Sequence, residues 1–386
     1  MRGLARVAWV MPGLLYLAPV HAAATECKVS KLAELPVTLV GRRAIVDAKF
    51  GARSTRFIVD SGAFYSTLSR ASVAEFGLRS EPAPAWFRLK GVNGEASAGI
   101  AKAKDFSLAG ISLPRVEFLV GGSDTGTAGL LGQNILGIGD VEYDLPHGIV
   151  RLMRVEGCGD KALAYWSAGK PYSTILLERG DGGPFKPHTI GTVLVNGVKM
   201  RAVFDSGAQT TIMTLSAAKR AGITPTSPGV VSAGSGSGIG SKQVAAWLAG
   251  FDKIDLGGEI VPHPKFRIAD IQIDADMLIG FDFFLTHRIF VSNANHQLYM
   301  TYEGGSLFGI APTGARTVSG EKLDLTDKAA DPTDAEGFSR RGAVFMSNRK
   351  FAEGLSDFDK AVEMAPNEGR YLFLRAQGRL AVGQRP

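Results

Sequence analysis

The sequence predicts a mainly β protein made of two similar lobes, followed by a short α-helical segment. Three observations carry this. One pattern occurs twice, as FIVDSGA at 57–63 and as AVFDSGA at 202–208. Glycine accounts for 48 of 386 residues, which favours turn-rich β architecture over a helical bundle. From Asp334 onward the apolar spacing changes to a helical period.

The first residues read as a targeting segment. Arg2 and Arg6 precede an apolar stretch, Val7 to Val20, interrupted by Pro12 and Gly13; His21-Ala22-Ala23-Ala24 then supplies small residues for cleavage. This is the pattern of a secretory signal peptide over residues 1–24, too short to span a membrane comfortably. Ala-Thr-Glu before Cys27 does not match a lipoprotein cleavage box. No later stretch is apolar for the length a membrane helix needs, so a periplasmic or secreted protein without a span is expected. Of the two cysteines, Cys27 and Cys158, both survive cleavage, and an even count in an oxidising compartment points to one disulfide, with two free thiols as the alternative. Neither has a His or Cys at ligand spacing, and no metal or other cofactor is expected. The net charge of +6 is spread along the chain, and no basic block is interleaved with aromatics, so nucleic acid is not implied.

The two lobes follow from an internal repeat. With an offset of 145 residues, Arg56 to Ala63 lies over Arg201 to Ala208, Leu68 over Met213, and Gly77 over Gly222. Leu130-Leu131-Gly132 ends 72 residues after Asp60, and Leu278-Ile279-Gly280 ends 75 residues after Asp205. A short helix-like run follows each (Gln133 to Leu136; Phe281 to Leu285). A hairpin follows that, turning at Pro146-His147-Gly148 in one copy and at Asn293-Ala294-Asn295 in the other. Self-similarity on this scale predicts structural duplication, with lobes at 35–156 and 172–304 joined near 157–171.

Residues 305–333, rich in Gly, Pro, Thr and Asp, read as a linker, and 334–386 as the helical tail. Between Ala335 and Glu368, Phe338, Gly342, Phe345, Phe351, Gly354, Phe358, Ala361 and Pro366 fall at the large, small and proline positions of a tetratricopeptide repeat. An ordinary helical hairpin packed on the body is the alternative.

Asp-Ser-Gly at the end of an apolar strand carries a carboxylate to the edge of a sheet. The Gly permits close backbone approach, and the Ser hydroxyl can bond across to a neighbouring loop. Two such loops, brought together by a pseudo-two-fold, place two carboxylates side by side. Like charges that close cannot both ionise, so one keeps a proton and the pair can act as acid and base around one water.

Asp60-Ser61-Gly62 and Asp205-Ser206-Gly207, each after three apolar residues, resemble the catalytic loops of aspartic proteases. The downstream Leu-Leu-Gly and Leu-Ile-Gly resemble the second signature of that clan. The short lobes are similar to the retropepsin-like type, and residues 35–385 resemble bacterial exported retropepsin-like proteins with a tetratricopeptide tail. The resemblance implies a bilobal acid-protease fold with a substrate cleft between the lobes. It implies an Asp60/Asp205 dyad, supported by Ser61, Gly62, Ser206 and Gly207, and a peptide or protein substrate. In the alternative, the lobes hold a peptide without cutting it, and the tail docks a protein partner.

Two departures stand out. The commoner triplet carries Thr; Ser keeps the hydroxyl and loses only a methyl. Ala63-Phe64 and Ala208-Gln209 differ, so an asymmetric cleft is expected. Asp124-Thr125-Gly126 is the commoner triplet letter for letter, but Gly121-Gly122-Ser123 precedes it instead of an apolar strand, and it reads as a polar loop. Flaps are expected between the two signatures of each lobe: Gly91-Val92-Asn93-Gly94, whose Asn-Gly is a hairpin turn signal, and the stretch around Gly234-Ser235-Gly236. Trp86 and Trp247 are candidates to line the cleft, although an isolated Trp is more often core. The histidines after the leader, His147, His188, His263, His287 and His296, show no metal spacing.

Overall fold

A computed structural model describes residues 26–40, 42–84, 87–91, 94–121, 125–159, 161–169, 171–179, 188–236, 244–304, 307–308 and 351–384, with a few helical positions between 335 and 346. The expected signal segment, Trp86, Val92, Asn93, Asp124 and nearly all of the expected linker lie outside the described residues.

The protein is mainly β and bilobal, with short helices at its C-terminal end. Each lobe starts with an antiparallel hairpin. In the first, Ala44–Phe50 pairs with Arg53–Val59. In the second, Ile190–Val195 pairs with Val198–Phe204. The second turn is Asn196-Gly197, with both residues at positive φ (50° and 78°), the backbone that tight hairpins require and that Asn-Gly adopts at least cost.

The outgoing strand of each hairpin is then flanked by a parallel partner from the second signature. Gly129–Leu131 runs beside Phe57–Val59, and Met277–Ile279 beside Ala202–Phe204. Strands covered on both faces read as continuous apolar runs, and Phe57, Ile58 and Val59 are all buried. The helices after the loops, Arg70–Glu75 and Leu215–Arg220, are both N-capped by hydroxyls, Ser69 Oγ accepting from the Ser72 N–H and Thr214 Oγ1 from the Ala217 N–H.

The lobes are joined by a shared antiparallel sheet. Its order is Ser173–Leu176, Gln297–Tyr302, His287–Ser292, Asp140–Asp144, Ile149–Glu156 and Lys28–Leu39. The hairpins that end the two lobes meet here edge to edge, with Val141 opposite Val291 and Tyr143 opposite Ile289. This seam sets the pseudo-two-fold relation between the lobes. Alternation along the strand turns Tyr143 to one face and Glu142 to the other. Glu142 is fully buried and accepts from Arg288 Nη2 (2.8 Å), from Arg151 and from the Tyr165 hydroxyl, so its charge is compensated.

Element boundaries differ from the sequence reading in three places. The start expected at 35 falls inside Lys28–Leu39, because that strand pairs with Ile149–Glu156 from Lys28 onward. The joining segment is not a bare connection. Tyr165 and Trp166 pack on Phe290, and Arg288 lies over the Trp166 ring at 5.1 Å. Phe308, within the expected linker, is buried against Phe266 and Phe283, so the second lobe's core reaches past 304.

Cys27 and Cys158 form a disulfide that ties the segment before the first strand to the segment after Ile149–Glu156. In the tail, helices Phe351–Met364 and Gly369–Ala381 pack on each other, and Gly369–Ala381 lies against Arg70–Glu75 of the first lobe. Phe358 is buried in the tail where a Cβ on Gly342 or Gly378 would touch its ring, so small residues admit the aromatic. Trp247 is partly buried and packs against the main core. No helix among the described residues is long and apolar enough to cross a membrane.

Candidate active site

Asp60 and Asp205 leave the ends of equivalent strands, Arg53–Val59 and Val198–Phe204. The strands end identically. The Asp60 N–H donates to the Leu131 carbonyl (3.0 Å), and the Asp205 N–H donates to that of Ile279 (2.9 Å). The parallel ladder thus runs one residue into each loop and fixes where each carboxylate emerges.

The loops interlock through their serines. Ser61 Oγ donates to the Phe204 carbonyl (2.7 Å) and accepts from the Ser206 N–H (2.9 Å). Ser206 Oγ donates to the Val59 carbonyl (2.9 Å) and accepts from the Ser61 N–H (3.0 Å). Both hydroxyls are buried and fully used. The missing Thr methyl takes no part in this lattice, which needs only the oxygen.

The glycines leave room for the opposite carboxyl. A Cβ on Gly62 would come within 2.6 Å of both Asp205 carboxyl oxygens, and one on Gly207 within 2.7 Å of both Asp60 oxygens. Each carboxyl therefore lies over the other loop's glycine, and the two carboxyls hydrogen-bond one another.

Burial raises both carboxyls above the ordinary range. Asp60 is pushed further by the negative charge of Asp205 and by its bond to Asp205. Backbone N–H groups oppose the burial effect on both sides, that of Ala63 at Asp60 Oδ1 (2.8 Å) and those of Gly207 (2.8 Å) and Ala208 (3.0 Å) at Asp205 Oδ1. The pair accordingly shares one proton.

The second signatures support the loops from behind. In the first lobe Asn134 Oδ1 accepts from the N–H and hydroxyl of Ser66, whose Oγ accepts from the Gly132 N–H. In the second, Asp282 Oδ1 accepts from the N–H and hydroxyl of Thr211, whose Oγ1 accepts from the Gly280 N–H. Gln133 Nε2 donates to the Ser61 carbonyl (2.8 Å) and lies 3.4 Å from Thr189 Oγ1 of the other lobe. Beneath the loops, burial pushes the Tyr143 hydroxyl up. Sequence reasoning missed Ser66, Thr211, Asn134, Asp282, Gln133 and Tyr143. The Asn/Asp position two residues after each signature glycine was the available signal.

The flap candidates occupy two settings. Gly91 and Gly94 end the strands of a separate hairpin, Leu89–Gly91 with Gly94–Ala96. Phe87, two residues before that hairpin, packs 6.3 Å from Phe64 of the first Asp-Ser-Gly loop. Gly234, Ser235 and Gly236 belong to Val231–Gly236, which pairs with Val244–Gly250 in the second lobe's sheet. The register slips between Ser232 and Ser235, where Gly234 takes a φ of +77°, as a glycine bulge does. The expected asymmetry is visible in the loops themselves, with Phe64 beside Tyr65 and Phe87 in one lobe and exposed Gln209 in the other.

The histidines separate. His287 is buried, stacked on Phe283 at 4.0 Å and 2.9 Å from Glu259, in a structural setting. His147 bonds Asp144. His188, which the sequence left among scattered residues, lies against the first Asp-Ser-Gly loop. Its ring edges that of Phe64 at 6.0 Å. No cluster of three metal-ligating side chains occurs among the described residues.

The aspartyl protease family model matches residues 46–135 and 191–283, once in each lobe. The two matches begin 145 residues apart, the offset of the internal repeat. No curated protein matches the chain.

Proposed function

We propose that this protein is an exported aspartic endopeptidase that hydrolyses peptide bonds with a water activated by Asp60 and Asp205. The observation that carries the reading is the seating of each carboxyl over the other lobe's glycine, within hydrogen-bond reach of its partner. A water between the two oxygens gives up a proton to Asp205 as its oxygen attacks the peptide carbonyl carbon. Asp60 donates its proton to the carbonyl oxygen, giving a neutral tetrahedral diol. In the second step Asp205 passes its proton to the amide nitrogen, Asp60 takes one back from a diol hydroxyl, and the C–N bond breaks. The dyad returns to its starting protonation.

The alternative, a peptide-binding protein with a degenerate site, is disfavoured by the intact hydrogen-bonded pair and by the complete serine lattice around it. The tail is read as a tetratricopeptide-type helical pair that docks a protein partner, on the strength of its small-residue packing around Phe358. Export to the periplasm or beyond is supported by the leader pattern and by the Cys27–Cys158 disulfide, which persists in oxidising compartments.

The test is incubation of the mature protein with a diverse peptide library, with and without a statine-type inhibitor. Cleavage is expected, abolished by the inhibitor. Asp60→Asn and Asp205→Asn are each expected to lower kcat/KM by about 10²–10⁴, the range for general acid–base groups. Undiminished cleavage in either variant sinks the dyad.

A further inference from the structure

Gln133 follows the first signature glycine and opens the short helix Gln133–Leu136. It is buried, and it grips the Asp60 loop at two carbonyls. Its side-chain Nε2 donates to the Ser61 carbonyl (2.8 Å), and its backbone N–H donates to the Ala63 carbonyl (2.9 Å). Gly62 stands between those two residues, and the Asp205 carboxyl lies over Gly62. The Ala63 N–H in turn donates to Asp60 Oδ1 (2.8 Å). The amide nitrogen of Gln133 carries a second hydrogen, and Thr189 Oγ1 of the other lobe lies 3.4 Å from it. Thr189 is buried, and its carbonyl accepts from the N–H of Phe204, the residue before Asp205 (2.8 Å). One run of bonds thus leads from Gly62 through Gln133 and Thr189 to the strand end that bears Asp205.

The pseudo-two-fold does not repeat this run. Phe281 stands after the second signature glycine where Gln133 stands after the first, and at the repeat offset Ala44 takes the place of Thr189. Phe281 keeps the backbone bond, its N–H donating to the Ala208 carbonyl (2.7 Å), but its buried ring has no donor for the Ser206 carbonyl. Ala44 has no hydroxyl. Apolar side chains therefore fill both positions in one copy, while the other buries an amide and a hydroxyl. Burying an amide costs free energy unless its bonds are kept, so Gln133 is placed for what it holds and not for what it fills.

We propose that Gln133 is a positioning residue of the dyad: it fixes the plane of the Ser61–Gly62 peptide and, through Gly62, the place that the Asp205 carboxyl takes against Asp60. Space at Gly62 makes the coupling direct. A single added carbon there would come within 2.6 Å of both Asp205 oxygens, so a swing of this peptide toward the carboxyl displaces it. The expected effect on rate rests on the protease reading; the expected effect on the geometry of the pair does not.

Two measurements test this in the full-length protein. Gln133→Met keeps the length of the side chain and removes its donor. Its kcat against a cleaved peptide is expected to fall about 10-fold or more with KM unchanged, as for a small misplacement of reacting groups. An unmoved kcat, or a rise in KM alone, overturns the proposal. Independently of cleavage, the dyad is titrated by NMR of carbon-13-labelled aspartate carboxyls, assigned by their loss in Asp60→Asn and Asp205→Asn. Carboxyls that no longer meet hold a shared proton less tightly, so the upper midpoint of the pair is expected to fall by about half a pH unit or more in Gln133→Met. An identical midpoint in the folded variant overturns the proposal even if the chain cleaves peptides. A lowered midpoint in a protein that cleaves nothing upholds the positioning and sinks the protease reading alone. Where circular dichroism shows that Gln133→Met does not fold, Thr189→Val takes its place. That variant removes only the cross-lobe acceptor, and it is expected to lower kcat about 2–5-fold and to move the midpoint in the same direction. A natural kcat and midpoint in Thr189→Val then overturn the proposal.

Discussion

Ser61 and Ser206 hold each other's loops. Each hydroxyl donates to the carbonyl before the partner's aspartate and accepts from the partner's own N–H, at 2.7 to 3.0 Å. Four hydrogen bonds in a buried setting tie the two lobes at the point where their carboxyls meet.

Ser61→Ala removes the donor to Phe204 and the acceptor for Ser206 together, leaving two buried backbone groups without partners. Stability should fall by about 2–4 kcal/mol, from the usual cost of each such orphan. Ser206→Ala should behave alike. Urea unfolding checks both, and a loss smaller than that of a surface Ser→Ala control counts against the lattice.

Gly62→Ala places a methyl where the Asp205 carboxyl lies, and Gly207→Ala does the same to Asp60. The pair must separate. Displacement on the order of 1 Å is expected to lower kcat/KM about 100-fold or more. Circular dichroism and peptide cleavage measured on one sample distinguish this from unfolding.

The dyad makes stability depend on pH in a known direction. Both carboxyls are raised in the folded protein relative to the unfolded chain. The folded state therefore binds the protons more tightly, and this contribution is complete below the ordinary carboxyl range and lost as pH rises through the raised folded values. Asp60→Asn removes the penalty of forcing charge into the pair. Its Tm should exceed that of the natural protein at neutral pH, and the gap should close as the solution is acidified. A gap that widens in acid contradicts the shared proton.

The Cys27–Cys158 bond ties chain segments 131 residues apart. Reduction, or the Cys27→Ser, Cys158→Ser double variant, should cost about 2–4 kcal/mol in urea unfolding. Peptide cleavage should persist under folding conditions, because neither cysteine belongs to the dyad loops.

Much of this arrangement was legible in one dimension. The repeat located both Asp-Ser-Gly loops and both signature glycines, since duplication copies strand, turn and helix in order. The apolar triplets before each aspartate are local features, governed by burial within a few residues. The irrelevance of the Ser-for-Thr change was not legible. It depends on the Phe204 carbonyl, 143 residues from Ser61. Nor did Asn134 and Asp282 stand out, because their partners, Ser66 and Thr211, are about 70 residues away.

The amino-acid order therefore sufficed for the duplicated β lobes and for the two Asp-Ser-Gly loops at equivalent positions. Folding settled how the lobes face each other. The seam between Asp140–Asp144 and His287–Ser292 joins the lobes, and the serine lattice brings the two loops together. The physical reason is range. Strand and turn preferences act over a few residues, whereas a carboxyl's charge state is set by whatever packing brings within a few Å, here from the opposite lobe.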